Sequence, residues 1–174
     1  NNRQTFFVQQ GGYDTHASQM AITGANVINT GVGQYALLST LSRSIKGFYD
    51  SIMGHPRGGA ALWTAVTAFS ASDFCRTFTP NKTDSTGGSD HGWGSHHFVM
   101  GGAVQGKRLF GALPEAGLGG SHDVGQGRLL PTMGVQQLAA ALGRWMGVSP
   151  ADLALVAPGH SVFDATVLSG LMKT

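Results

Sequence analysis

Glycine sets the terms for this chain. Its 27 glycines in 174 residues are roughly twice the usual share. Gly106, Gly111, Gly117, Gly119, Gly120, Gly125 and Gly127 leave no room for a regular element between 105 and 130. Many tight turns follow. Hydrophobic content of 41% fits a globular protein, and the length suits one domain with a sizeable core; no internal repeat is evident.

Only 11% of the residues are charged, less than half the usual fraction, and the net charge is +2. The eleven Lys and Arg residues are dispersed, without the basic, aromatic-interleaved patch that binds nucleic acid, so nucleic acid is not an expected partner. No apolar run reaches the roughly 18 to 20 residues of a membrane span, and no signal-peptide pattern is present. Cys75 is the single cysteine, which excludes an internal disulfide and leaves the redox compartment open. The chain opens on Asn1 almost directly into an apolar run, as a processed or truncated polypeptide would.

Patterning predicts an α/β architecture. Arg3–Gln10 has a β-prone, apolar centre and stops at Gly11-Gly12, which reads as a strand ending in a turn. Residues 17–33 have no period and read as a loop. Leu38, Leu41, Ile45, Phe48 and Ile52 recur at three- and four-residue steps, predicting an amphipathic helix of about 18 residues from Gln34. Ala61–Phe69 is apolar on both faces and reads as a central strand. Strand, helix and strand in that order predict a mostly parallel sheet flanked by helices. Residues 79–89 read as a mobile connector, and His97–Met100 as a short strand stopped by Gly101-Gly102. Val135–Met146 reads as a second amphipathic helix, and Ser149-Pro150-Ala151-Asp152 as the start of a short helix to Val156. Phe163, Val167, Leu168 and Leu171 make a last, structural apolar segment.

Chemistry concentrates in Gly88-Ser89-Asp90-His91-Gly92-Trp93-Gly94-Ser95-His96-His97, where three histidines and an aspartate share ten residues. Imidazole and carboxylate are the usual ligands of zinc and similar divalent ions, so the stretch is a candidate metal site. A polar surface loop would have much the same composition. Two further clusters, Gly11-Gly12-Tyr13-Asp14-Thr15-His16 and Ser72-Asp73-Phe74-Cys75-Arg76-Thr77, each follow a run read as a strand, which suggests one joint site at strand ends. Arg76 is suited to hold an anionic substrate group, or else simply pairs with Asp73. His122-Asp123 reads as a solvent-facing pair, and Cys75 as a packed small residue rather than a nucleophile.

Taken together, Gly-Gly-Tyr-Asp-Thr-His at 11–16, Phe48-Tyr49-Asp50, Ser72–Thr77, Gly88–Gly94, His97–Gly106 and the Arg-Trp-Met-Gly-Val-Ser helix end resemble the bacterial "domain of unknown function 1501" family over essentially the whole chain. The resemblance implies an alkaline-phosphatase-like fold, shared with sulfatases and phosphomutases, of which this chain is the C-terminal, metal-site part. It also implies twin-arginine export, hence a periplasmic or secreted protein. Ligands in that superfamily arrive as Asp…His, then Asp-His, then His, above a mostly parallel sheet. Asp14 and His16 resemble the first pair; the second matches either Asp73 or Asp90-His91, with His96 and His97 in reserve. One or two divalent ions are implied, with zinc favoured by the mixed ligands. Cys75 replaces the glycine of the family's Asp-Phe-Gly-Arg motif, and the nucleophile would lie in an N-terminal half absent from this sequence.

Two functions follow as expectations. One is a metal-dependent hydrolase acting on phosphate or sulfate esters, with Arg76 holding the oxyanion and the N-terminal half as an obligatory partner. The other is a secreted binding or assembly protein that keeps the fold without turnover. Low surface charge and abundant glycine are compatible with burial in an oligomer of identical chains.

Overall fold

The computed structural model describes residues 3–20 and 29–173. Part of the loop expected over 17–33 lies outside them. In order come α1 (Gly33–Met53), α2 (Gly59–Thr64), β1 (Thr67–Phe69), β2 (Cys75–Pro80), β3 (Ser89–Gly92), β4 (Val99–Gly101), α3 (Val135–Trp145), α4 (Leu153–Val156) and a 3-10 turn at His160–Val162. No helix among the described residues is long and apolar enough to cross a membrane.

Among the described residues there is no parallel sheet. The described strands form two separate antiparallel pairs, β1 with β4 and β2 with β3. Arg3–Gln10, expected as a strand, has neither helix, strand, turn nor bend, because no described segment lies beside it to complete a ladder. Ala61–Phe69, expected as a central strand, is split. Its first part closes into α2, and only Thr67–Phe69 is extended, paired with Val99–Gly101. A short apolar run suits a buried helix as well as a strand, and here the packing decides for helix. Gly59 lets α2 start against the Ile52 and Met53 carbonyls, where a side chain would overlap backbone. Trp63 then meets Tyr49 of α1 edge-on, ring centroids 5.2 Å apart.

The 3.6-residue period of α1 is realised over 21 residues, although only Ile52 of its apolar stripe is fully buried. Its N-terminal turns serve another purpose. Gln10 and Tyr13 donate to the Leu37 carbonyl at 3.0 and 3.3 Å, and Gln34 Nε2 donates to Tyr13 O and Thr15 Oγ1, both at 3.0 Å. These bonds fix the segment that carries Asp14 and His16.

The core lies around α3 and the C-terminal tail. Val104, Leu168 and Leu171 are buried together, with Phe110, Met133, Leu138 and Ala141 against them. Ala140 of α3 packs on Leu153 and Ala157 in a second cluster. Gln137 secures the start of α3: its Oε1 accepts the Gly134 N–H at 2.8 Å, and its Nε2 donates to the Asp164 carbonyl at 2.7 Å. The glycine-rich stretch 105–130 has no regular element. Asp123 organises it by accepting the N–H groups of Gly119, Gly125 and Gly127, each at 2.8 Å, which hold its carboxyl below the usual carboxylate range.

Candidate metal centre

Two sequence-distant segments meet at the β2–β3 hairpin. In its register Arg76 stands directly opposite His91, so both side chains leave one face of the pair. The 13–19 segment runs beside the hairpin through an isolated bridge between Ala17 and Gly87 and a bond from Ser89 N–H to the Thr15 carbonyl at 3.3 Å. Gly88 makes this approach feasible, since a Cβ there would overlap Thr15 O and the backbone of His16.

The result is a convergence on one carboxylate oxygen. Asp14 Oδ1 lies 2.9 Å from His16 Nε2, 2.7 Å from His91 Nε2 and 2.8 Å from Arg76 Nη1. The bond from His91, then that from Arg76, holds the Asp14 carboxyl below the usual carboxylate range. The two Nε2 atoms are 3.2 Å apart. All three of Asp14, His16 and His91 are solvent-exposed, and they offer one ligand atom each.

The surrounding side chains fix the histidines. His16 Nδ1 sits 3.2 Å from Asp90 Oδ1, and Asn81 Nδ2 donates to the His16 carbonyl at 2.8 Å. Phe74 lies parallel to the His91 ring at 4.1 Å, and Arg128 Nε donates to the His91 carbonyl at 3.0 Å. Thr77 Oγ1 accepts the Asp90 N–H at 3.1 Å. Arg76, only 13% exposed, is fully engaged: Nε donates to Ser89 Oγ at 3.0 Å, Nη2 to the Ser89 carbonyl, and Nη1 to Asp14. Ser89 Oγ donates in turn to Gln19.

The ligand atoms are gathered tightly enough to be candidates for one small divalent ion. Tetrahedral zinc with nitrogen and oxygen ligands about 2.0 to 2.1 Å away needs ligand atoms about 3.3 Å from one another. The three separations here are 2.9, 2.7 and 3.2 Å, so Asp14 would move outward from both imidazoles to take its place around an ion. Both ring nitrogens of His16 face carboxylate oxygens. A neutral imidazole has one N–H and cannot donate to both, so these contacts are met either by an imidazolium or by an ion at Nε2. In the second case Nδ1–H would be donated to Asp90, a carboxylate–histidine–metal arrangement common to such sites.

Of the sequence candidates, Asp14, His16, Asp90, His91 and Arg76 come together. Asp73 precedes β2, exposed, and takes no part among the described residues. His96 Nδ1 faces the neighbouring Ser95 hydroxyl, and His97 Nδ1 faces Ser70 Oγ, each at 3.2 Å. Cys75 is half-buried, and burial pushes its thiol up, away from a reactive thiolate. Of the supports, Ser89 and Thr77 lie inside the clusters that stand out in the sequence but carry no role there, and Asn81 and Gln19 lie outside them. Ser, Thr, Asn and Gln between two ligand motifs are the only local signal they carry. Residues 79–89, expected as a mobile connector, are a fastened turn: Asn81 N–H donates to the Gly88 carbonyl, and Asp84 Oδ1 accepts the Thr86 N–H and hydroxyl.

Comparison with known protein families matches residues 1–156 to the protein of unknown function family DUF1501. The chain belongs to that family. No curated protein and no solved structure matches it.

Proposed function

We propose that Asp14, His16 and His91 bind a divalent metal ion, zinc by the preference of a mixed imidazole and carboxylate set, in an exported hydrolase-like protein acting on phosphate or sulfate esters. The observation that carries the metal reading is the meeting of His16 Nε2 and His91 Nε2, 3.2 Å apart, at Asp14 Oδ1. Among the described residues one three-ligand set is present, so one ion is proposed. Three protein ligands at exposed positions would leave a further coordination position for solvent or substrate, as in catalytic rather than structural sites.

When bound, such an ion supplies Lewis acidity toward an ester oxygen and lowers the pKa of a bound water. The chain's own residues have positioning roles. Asp90 orients His16, Phe74 stacks on His91, and Arg76 holds Asp14 while tying it to the Ser89 carbonyl. With its guanidinium committed to those partners, Arg76 acts here by placing Asp14 rather than by holding an oxyanion.

The order Asp14, His16, Asp90, His91 also parallels the ligand order of the alkaline-phosphatase-like superfamily, in which the nucleophile would come from a more N-terminal part of the protein. The reading rests on that ligand set and not on a parallel sheet. The second reading, a secreted assembly protein with an ion but no turnover, draws support from the exposed apolar residues Phe6, Phe7 and Val8.

The test is hydrolysis of aryl phosphates and sulfates by zinc-loaded protein extended to include the N-terminal part. Turnover abolished by His91→Ala supports the hydrolase. Metal binding without turnover favours the assembly reading, and absence of metal binding ends the hydrolase reading and leaves the binding or assembly role.

A further inference from the structure

Residues 4–10, Gln-Thr-Phe-Phe-Val-Gln-Gln, take no part in the metal centre, yet among the described residues they are the most exposed apolar stretch. Phe6, Phe7 and Val8 are 81, 87 and 91% exposed. The segment has no turn or bend, and among the described residues its backbone N–H and C=O groups make no backbone hydrogen bond. It is also tethered at both ends. Arg3 Nη1 donates to the Trp145 carbonyl at 2.6 Å and Gln10 Nε2 to the Leu37 carbonyl at 3.0 Å, so the stretch between them is presented from the body.

Exposed backbone of this kind is solvated by water, and another extended backbone can take the water's place with a matching row of alternating donors and acceptors. Natural edge strands are protected by a charge, a proline, a bulge or a cover. Between Gln4 and Gln10 there is no charge, no proline and no glycine. The composition, β-branched and aromatic residues in a short neutral run, is that of a strand that adds to a strand.

The order of residues selects the partner. Read in either direction the segment runs polar, polar, apolar, apolar, apolar, polar, polar. An antiparallel two-fold pairing centred on Phe7 therefore sets apolar against apolar and polar against polar throughout. Phe6 faces Val8, Thr5 faces Gln9, Gln4 faces Gln10, and Phe7 faces its own copy. A one-residue slip would set Phe6 against Gln9 in both halves of the ladder. Aromatic and β-branched cross-strand neighbours are among the favourable pairs, and the Arg3 side chains end at opposite ends of the ladder, where they do not repel.

We propose that residues 4–10 pair antiparallel with the same residues of a second copy of this chain, about a two-fold axis at Phe7. The proposal is independent of the metal reading and survives or fails without it.

Sedimentation equilibrium on the 174-residue chain tests it, with two charge variants that preserve the exposed segment's freedom from folding contacts. In the predicted register Phe6→Lys with Val8→Lys places like charges opposite each other twice, and Phe6→Glu with Val8→Glu does the same. Each variant alone should self-associate roughly tenfold or more weakly than the parent, and an equimolar mixture of the two should recover association. Unchanged far-ultraviolet circular dichroism confirms that the body is folded. A parent that stays monomeric at all concentrations overturns the proposal. So does a lysine variant that associates like the parent, or a mixture that fails to re-associate.

Discussion

The Nε2 atoms of His16 and His91 stand 3.2 Å apart although 75 residues separate them in the chain. Each also faces Asp14 Oδ1, so three ligand atoms from two segments share one small volume. Everything that places those segments is therefore a determinant of the site, and the predictions below separate placement from ligation.

Gly88 is the first such determinant. With any side chain there, backbone must move where the hairpin meets residues 15–17, and His16 is drawn away from His91. Gly88→Ala is expected to weaken zinc binding by about tenfold or more while leaving the α3 core intact. Zinc titration beside thermal unfolding checks this; unchanged affinity would show that the close approach is not needed.

Arg76 is the second. Its guanidinium serves Asp14 and Ser89 at once, and a lysine cannot reproduce that fork. Arg76→Leu leaves the Ser89 carbonyl without its donor and is expected to cost about 1–3 kcal/mol of folding stability, with Arg76→Lys intermediate. Denaturant unfolding of the metal-free protein measures both.

Much of this site was legible in the sequence, but not its membership. Asp14-Thr15-His16 and Asp90-His91 stand out because carboxylate and imidazole cluster beside glycine in a chain poor in charge. Asp73, His96 and His97 stand out for the same reason and lie apart. What separates the two groups is the Ala17–Gly87 bridge and the pairing of Arg76 with His91, long-range contacts that leave no local mark. The fold divides similarly. Helices α1 and α3 follow from a 3.6-residue period written into their own residues. No parallel sheet forms among the described residues, because pairing depends on neighbours. Ala61–Phe69 found a helical solution for its first part, and no described strand lies beside Arg3–Gln10.

His97 gives the chain a pH dependence. Burial, and then the charge of neighbouring His96, holds its imidazole below the ordinary value of 6.5. The unfolded state therefore binds its proton more readily than the folded one. Stability contributed by neutral His97 is fully present above pH 6.5 and is lost as pH falls through the lowered folded value. Urea unfolding at a series of pH values should show this decline, and His97→Gln should flatten it. An identical slope in the variant would assign the acid sensitivity elsewhere.

The most direct measurement is calorimetric titration of zinc into chelator-stripped protein, with His91→Ala and Asp90→Asn beside it. The account predicts one equivalent of zinc for the parent, none for His91→Ala, and an affinity lowered about 10- to 100-fold for Asp90→Asn, which loses only the partner that orients His16. No zinc binding by the parent, or undiminished binding by His91→Ala, would contradict it.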